Sequence, residues 1–160
     1  MEFNRPNGTK VSIEEIAEIV SAYIMKDPAA KYELTIGTDS QNYDKTKIVE
    51  VIALRKVGRG GIFFFRYIYL NRIDNLRYKI TVETQKSLET ADALLACIEN
   101  LGIMLEEYDI HIQIHCDIGT FGPTKAFIKE ITSWVRSLGY ECCIKPDSYT
   151  ASAIANKFSK

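Results

Sequence analysis

Lys47-Ile48-Val49-Glu50-Val51-Ile52-Ala53-Leu54-Arg55-Lys56-Val57 runs into Gly58-Arg59-Gly60-Gly61 and then Ile62-Phe63-Phe64-Phe65-Arg66-Tyr67-Ile68-Tyr69-Leu70. Two β-branched and aromatic runs joined by a glycine-rich turn read as an antiparallel hairpin, with strands over about 47–57 and 61–70. Upstream, Leu34, Ile36 and Thr38 alternate with Thr35, Gly37 and Asp39, which predicts another strand over about 32–39. Before it, Ser12 and Glu15 form a capping box ahead of an Ile13, Ile16, Ala17, Val20, Ile24 stripe, so a helix is expected over 12–27, ended by Asp27-Pro28.

Downstream, a long helix is expected over 75–101, stopped by Gly102. A strand at 110–116, a loop holding Gly119, Gly122 and Pro123, a helix at 124–138 and a short strand at 140–144 follow, with a last helix after Pro146. Three sequential strands predict an antiparallel meander. Strands separated by helices join in parallel through right-handed crossovers. The expected architecture is α/β: a mixed five-stranded sheet, three strands antiparallel and two parallel, flanked by helices and preceded by an extra helix.

A chain of 160 residues, 46% hydrophobic, suits one domain spanning 1–160. No stretch approaches the roughly 20 apolar residues of a membrane span, and Met1-Glu2-Phe3-Asn4-Arg5 lacks the apolar run of a secretory signal, so a cytoplasmic protein is expected. Cys97, Cys116, Cys142 and Cys143 show no Cys-x-x-Cys spacing, and reduced, mostly buried thiols are expected. Charge comes in blocks. Residues 55–86 carry eight bases against two acids, 87–119 carry seven acids and no base, and from 120 onward six bases face three acids. Such blocks suit a polyanion lying beside an acidic site, and equally suit ordinary solvated faces.

Four acids stand at the ends of these elements. Asp39 ends the first strand, and Gly37 two residues earlier shares its face and leaves room for a metal or a close phosphate. Asp117 precedes Ile118-Gly119-Thr120-Phe121-Gly122-Pro123-Thr124, where a strand meets a helix. Asp147 opens the last helix, where capping by Asp147 or Ser148 competes with ligation. On the long helix Glu83 is preferred to Glu89, because it lies nearer the helix start and has room to approach the sheet end. Asp39 is expected to neighbour Asp117 at one end of the sheet. Carboxylates converging from strand ends and first helical turns can hold hard divalent cations by oxygen.

Other reactive groups are weaker candidates. His111 and His115 alternate with Ile110, Ile112, Ile114 and Cys116, so on a strand they stand about 13 Å apart and read as polar-face residues, with His115 within reach of substrate. Gly119 to Lys125 lacks the Gly-Lys-Ser/Thr of a phosphate loop. Trp134 and the Phe63–Phe65 and Tyr67, Tyr69 runs read as packing.

Ile36-Gly37-Thr38-Asp39-Ser40-Gln41, the Lys79-Ile80 to Glu83-Thr84 helix start, His115-Cys116-Asp117-Ile118-Gly119, Thr124-Lys125, Glu130 and Lys145-Pro146-Asp147-Ser148-Tyr149, with Ala151-Ser152, Ala155-Asn156-Lys157 and Lys160, resemble the YkuK-type family of predicted ribonuclease H-related nucleases. The resemblance spans nearly the whole chain. It implies a ribonuclease H-like fold in which Asp39 is the first-strand aspartate, Glu83 the helix glutamate, Asp117 the fourth-strand aspartate and Asp147 the acid before the last helix. The opening helix is an addition to the minimal core, and no separate basic substrate-binding helix is evident.

The resulting expectation is a nuclease acting on RNA, DNA or a hybrid with two Mg²⁺ or Mn²⁺ ions about 4 Å apart. Asp39 would bridge both ions, with Glu83 and Asp117 on one and Asp147 on the other. Lys125, Lys145 and Ser40 are the candidate substrate contacts, each close in sequence to a proposed ligand. A non-catalytic binding or scaffolding module remains open. An actin-like phosphotransferase, suggested by Asp117-Ile118-Gly119-Thr120, needs two such domains; a proofreading-type exonuclease needs a glutamate where Gln41 stands.

Overall fold

The computed structural model describes residues 1–145 together with 147 and 148; the helix expected after Pro146 lies outside them. The expected elements form in order. Helix α1 (Ile13–Lys26) starts at the Ser12–Glu15 capping box, with both reciprocal hydrogen bonds made. Strands β3 (Tyr32–Asn42), β4 (Lys45–Lys56) and β5 (Gly61–Asn71) make the antiparallel meander, β3 and β5 each running past the expected boundaries. At the β4–β5 turn the Lys56 N–H donates to the Gly60 carbonyl, and Gly58 and Gly60 take positive φ of 82° and 78°, which glycine tolerates and other residues resist. Helix α2 (Leu76–Asn100) follows, capped by the Asn75 side chain, and then β6 (Ile112–His115), α3 (Ile128–Ser137) and β7 (Glu141–Cys143).

The sheet has seven strands rather than five, because the first residues add a hairpin of β1 (Glu2–Asn4) and β2 (Lys10–Ser12). Three-residue strands are too short to show a period, although Pro6-Asn7-Gly8 is a turn signal between them. The order is β2-β1-β5-β4-β3-β6-β7, with β3–β6 and β6–β7 parallel. The expected helix at 124–138 is also corrected: Pro123–Phe127 form a 3-10 turn, and the α-helix begins at Ile128. The Thr124 hydroxyl accepts the Gly119 N–H at 3.1 Å, which ties the start of this turn back to the preceding loop.

Helices α1, α2 and α3 share one apolar core with the sheet, including Ile16, Val20, Ile36, Ile52, Leu94, Ile114 and Val135. Alternation along β4 sends Ile52 and Leu54 into this core and Val49, Val51 and Ala53 into a separate cluster with Phe65. The basic block loses most of its free charge on folding. Six of its eight bases pair with acids: Arg55 with Glu33, Lys56 with Asp27, Arg66 with Glu50, Arg72 with Asp74, Arg77 with Glu130 and Lys86 with Glu89. The polarised surface suggested by the charge blocks is therefore largely neutralised in this segment. Among the described residues no helix is long and apolar enough to cross a membrane.

Candidate active site

Parallel pairing of β3 with β6 sets Gly37 opposite His115. Two residues further along the chain stand Asp39, still within β3, and Asp117, just past the end of β6, so both carboxylates arise at the same end of the two strands. In open α/β sheets ligands gather at the carboxyl ends of parallel strands. Asp39 and Asp117 are both half-buried.

Helix α2 brings the third acid. Ile80, Glu83, Thr84, Ser87, Ala91, Leu94 and Ile98 are buried along it, so Glu83 lies on the stripe that faces the sheet. Glu83 is only 8% exposed and accepts a hydrogen bond from the Ser40 hydroxyl of β3. Burial pushes its carboxyl up to about 7, against the opposing pull of Ser40; Asp117 and Asp39 add repulsion and Lys79, one turn earlier, relieves some of it. Glu89 instead is exposed, held by Gln85 at 3.3 Å and Lys86 at 3.8 Å.

Lys145 pairs with Asp117 at 2.7 Å, and its backbone N–H donates to the Ile118 carbonyl at 2.9 Å. Glycine at 119 permits this approach, since a Cβ there would stand 3.1 Å from the Lys145 Cβ. A cleft of about 210 Å³ beside Asp117 is lined by Gly119, Thr120, Phe121 and Lys145. Lys125 is exposed on the 3-10 turn, with no ion pair among the described residues. Asp147 is exposed, and the adjacent Ser148 is buried, its N–H donating to the Ile144 carbonyl at 3.0 Å.

Of the two histidines expected on the polar face, one is there and the other is covered. His111 is exposed and 3.6 Å from Asp109, whereas His115 is 6% exposed and burial pushes its imidazole below the ordinary range. A histidine so enclosed does not project into solvent. Cys116 and Cys142 bring their sulfurs to 3.8 Å, and this contact, together with burial, pushes the Cys116 thiol up. Lys79 stood in the quoted helix-start motif without a role; its position four residues before Glu83 was the available signal for the charge it sets beside that acid.

Asp39, Glu83 and Asp117 are oxygen donors of the type a hard divalent cation takes. Among the described residues, however, no three His, Cys, Asp or Glu side chains already converge as a metal cage. Asp117 is turned to Lys145 and Glu83 to Ser40. The donor chemistry fits a cation, and those two contacts are what it would displace.

A ribonuclease H-like family model matches residues 15–160, and the chain belongs to the ribonuclease H-like family. The mixed sheet flanked by helices agrees with that membership. The chain is similar to a Bacillus subtilis (strain 168) protein described as "Uncharacterized protein YkuK", 40% identical over 166 residues that cover 99% of this chain and 96% of that protein. No solved structure matches.

Proposed function

We propose that the protein is a metal-dependent nuclease that hydrolyses phosphodiester bonds, with Asp39, Glu83, Asp117 and Asp147 as the acidic set. The observation that carries this reading is the buried Glu83 carboxyl, hydrogen-bonded by Ser40 of β3 and raised chiefly by burial, with a smaller push from Asp117 and Asp39. Burying an acid among acids costs stability, and clusters of this kind mark functional sites. Mg²⁺ or Mn²⁺, when bound, supplies an activated water and a counter-charge for the leaving oxygen. Ser40 holds the Glu83 carboxylate in place. Lys145, released from Asp117, has the charge and the position to hold a substrate phosphate, and Lys125 offers a second cation nearby.

The Lys145–Asp117 pair favours one other reading, a non-catalytic nucleic-acid-binding module whose acid is permanently neutralised. Cleavage assays on single-stranded, duplex, hybrid and branched substrates with Mg²⁺ or Mn²⁺ separate the two. Turnover that disappears in Asp39→Asn, with an unchanged circular dichroism spectrum, supports the nuclease. Binding without turnover supports the module.

A further inference from the structure

A cavity of about 490 Å³ opens where the end of β5 meets the first turns of α2, and the proposed chemistry does not use it. We infer that this cavity receives one unpaired nucleotide of the substrate strand, which makes single-stranded nucleic acid the substrate class. The inference rests on the nuclease reading, because the acid cluster sets where the cleaved phosphate lies.

Register places the cavity beside the acids. Ser40, which holds Glu83, is the cross-strand partner of Ile48, and Ile48 pairs with Ile68 of β5. Ile48 packs with Ile73 and Val82, and those two form the cavity floor with Leu70. Helix α2 thus sets Glu83 against β3 and its neighbour Val82 over β4 and the cavity. Two strand spacings, about 10 Å, separate Ser40 from β5, a distance that neighbouring nucleotides of one strand can bridge.

The wall is tied to the same strand. Thr46 donates to Asn42 Oδ1 at 2.6 Å and accepts the Ile73 N–H at 2.8 Å, while Asn42 Nδ2 donates to the Ile73 carbonyl at 2.9 Å. These bonds clamp the segment after β5 to β3 two residues beyond Ser40. No residue of β1 lines the cavity, because β1 pairs with β5 at Phe65, away from Leu70 and the residues that follow it.

Its lining has the chemistry of a nucleotide site. The volume lies within the range of small-molecule pockets. Tyr78, 59% exposed, presents a ring for stacking, and the exposed Gln85 amide, whose nitrogen donates to Glu89 at 3.3 Å, keeps its oxygen and its second N–H for a base edge. Among the described residues the Lys86 ammonium has one long ion pair, at 3.8 Å with Glu89, which a phosphate can displace. Arg72 is committed, donating to Asp74 at 2.8 Å and to the Tyr43 carbonyl at 2.7 Å, and serves as wall. A base in a duplex reaches such a cavity only by leaving its stack.

Fluorescence anisotropy tests this with dye-labelled single-stranded RNA, single-stranded DNA and duplex oligonucleotides, in chelator, on wild type, Tyr78→Ala and Lys86→Gln. Single strands should bind at least about tenfold tighter than duplex, and Tyr78→Ala should weaken them about tenfold, with Lys86→Gln weakening them as well. The inference is overturned if both variants bind single strands like wild type, or if duplex binds as tightly. The two readings fail separately. Expected binding without turnover in Mn²⁺ removes the nuclease and keeps the cavity; turnover with unaltered binding by both variants does the reverse.

Discussion

The Ser40 hydroxyl donates to the Glu83 carboxylate, joining β3 to α2 across 43 residues of chain. Ser40 is the leading influence lowering the Glu83 pKa. Ser40→Ala should therefore raise that pKa above its present value of about 7, cost about 1 kcal/mol of stability, and reduce cleavage at neutral pH. Ser40→Thr should restore most of the loss. Carboxyl NMR titration and urea unfolding check this, and an unmoved Glu83 titration in Ser40→Ala would show that the hydroxyl does not position the acid.

Glu83→Gln and Glu89→Gln should behave oppositely. In the folded protein Glu83 titrates near 7, against 4.5 for an ordinary glutamate, so the folded state keeps a proton that the unfolded chain has lost between those values. Its contribution to stability is full below about pH 4.5 and is lost as pH rises through about 7, by up to about 3 kcal/mol. The buried Glu50 carboxyl is raised as well and adds a slope of the same sign to both proteins, so the wild type minus Glu83→Gln difference isolates Glu83. Glu83→Gln should flatten the profile and abolish metal-dependent cleavage. Glu89→Gln should change stability by no more than about 0.5 kcal/mol.

A second buried acid gives a separate stability test. Glu50 is fully buried, its Oε1 held by Arg66 at 2.7 Å and Thr90 at 2.9 Å, while Oε2 has no partner among the described residues. Arg66 also covers the Phe3 ring at 4.9 Å, which fastens the N-terminal hairpin. Arg66→Met should destabilise by about 3 kcal/mol at pH 8. Without the guanidinium the Glu50 carboxyl rises further, so its protonated form carries the stability and the loss should shrink towards pH 5. Thermal melts at the two pH values measure this; a loss independent of pH would mean that packing, not charge, dominates.

The β4–β5 hairpin, the Ser12–Glu15 cap and the placing of Asp39 and Asp117 at one end of the sheet were legible because each depends on local chemistry or on strand periodicity. The preference for Glu83 over Glu89 agrees with their burial, since six residues of helix turn the two to different faces. What stayed hidden depends on partners distant in sequence. The Ser40–Glu83 and Lys145–Asp117 contacts join separate elements, and the pairing of six basic residues with acids could not be read from block charge. His115 looked like a polar-face residue because alternation gives a face and not what covers it. The β1–β2 hairpin was too short for any period to show.

Lys145 and a divalent cation should compete for Asp117. Their pair has side chains 57% and 36% exposed, so Lys145→Met should cost no more than about 1 kcal/mol without metal. It should nevertheless bind Mn²⁺ more tightly and gain more in Tm than wild type, because the cation no longer displaces an ammonium. Asp117→Asn relieves repulsion on Glu83 and should be at least as stable as wild type in chelator, while gaining less from Mn²⁺. Calorimetry in chelator and then in millimolar Mn²⁺ measures all three proteins. If wild type shows no metal-dependent shift and Asp117→Asn is destabilised under both conditions, the acid is a structural partner of Lys145, and the non-catalytic module becomes the better account of this site.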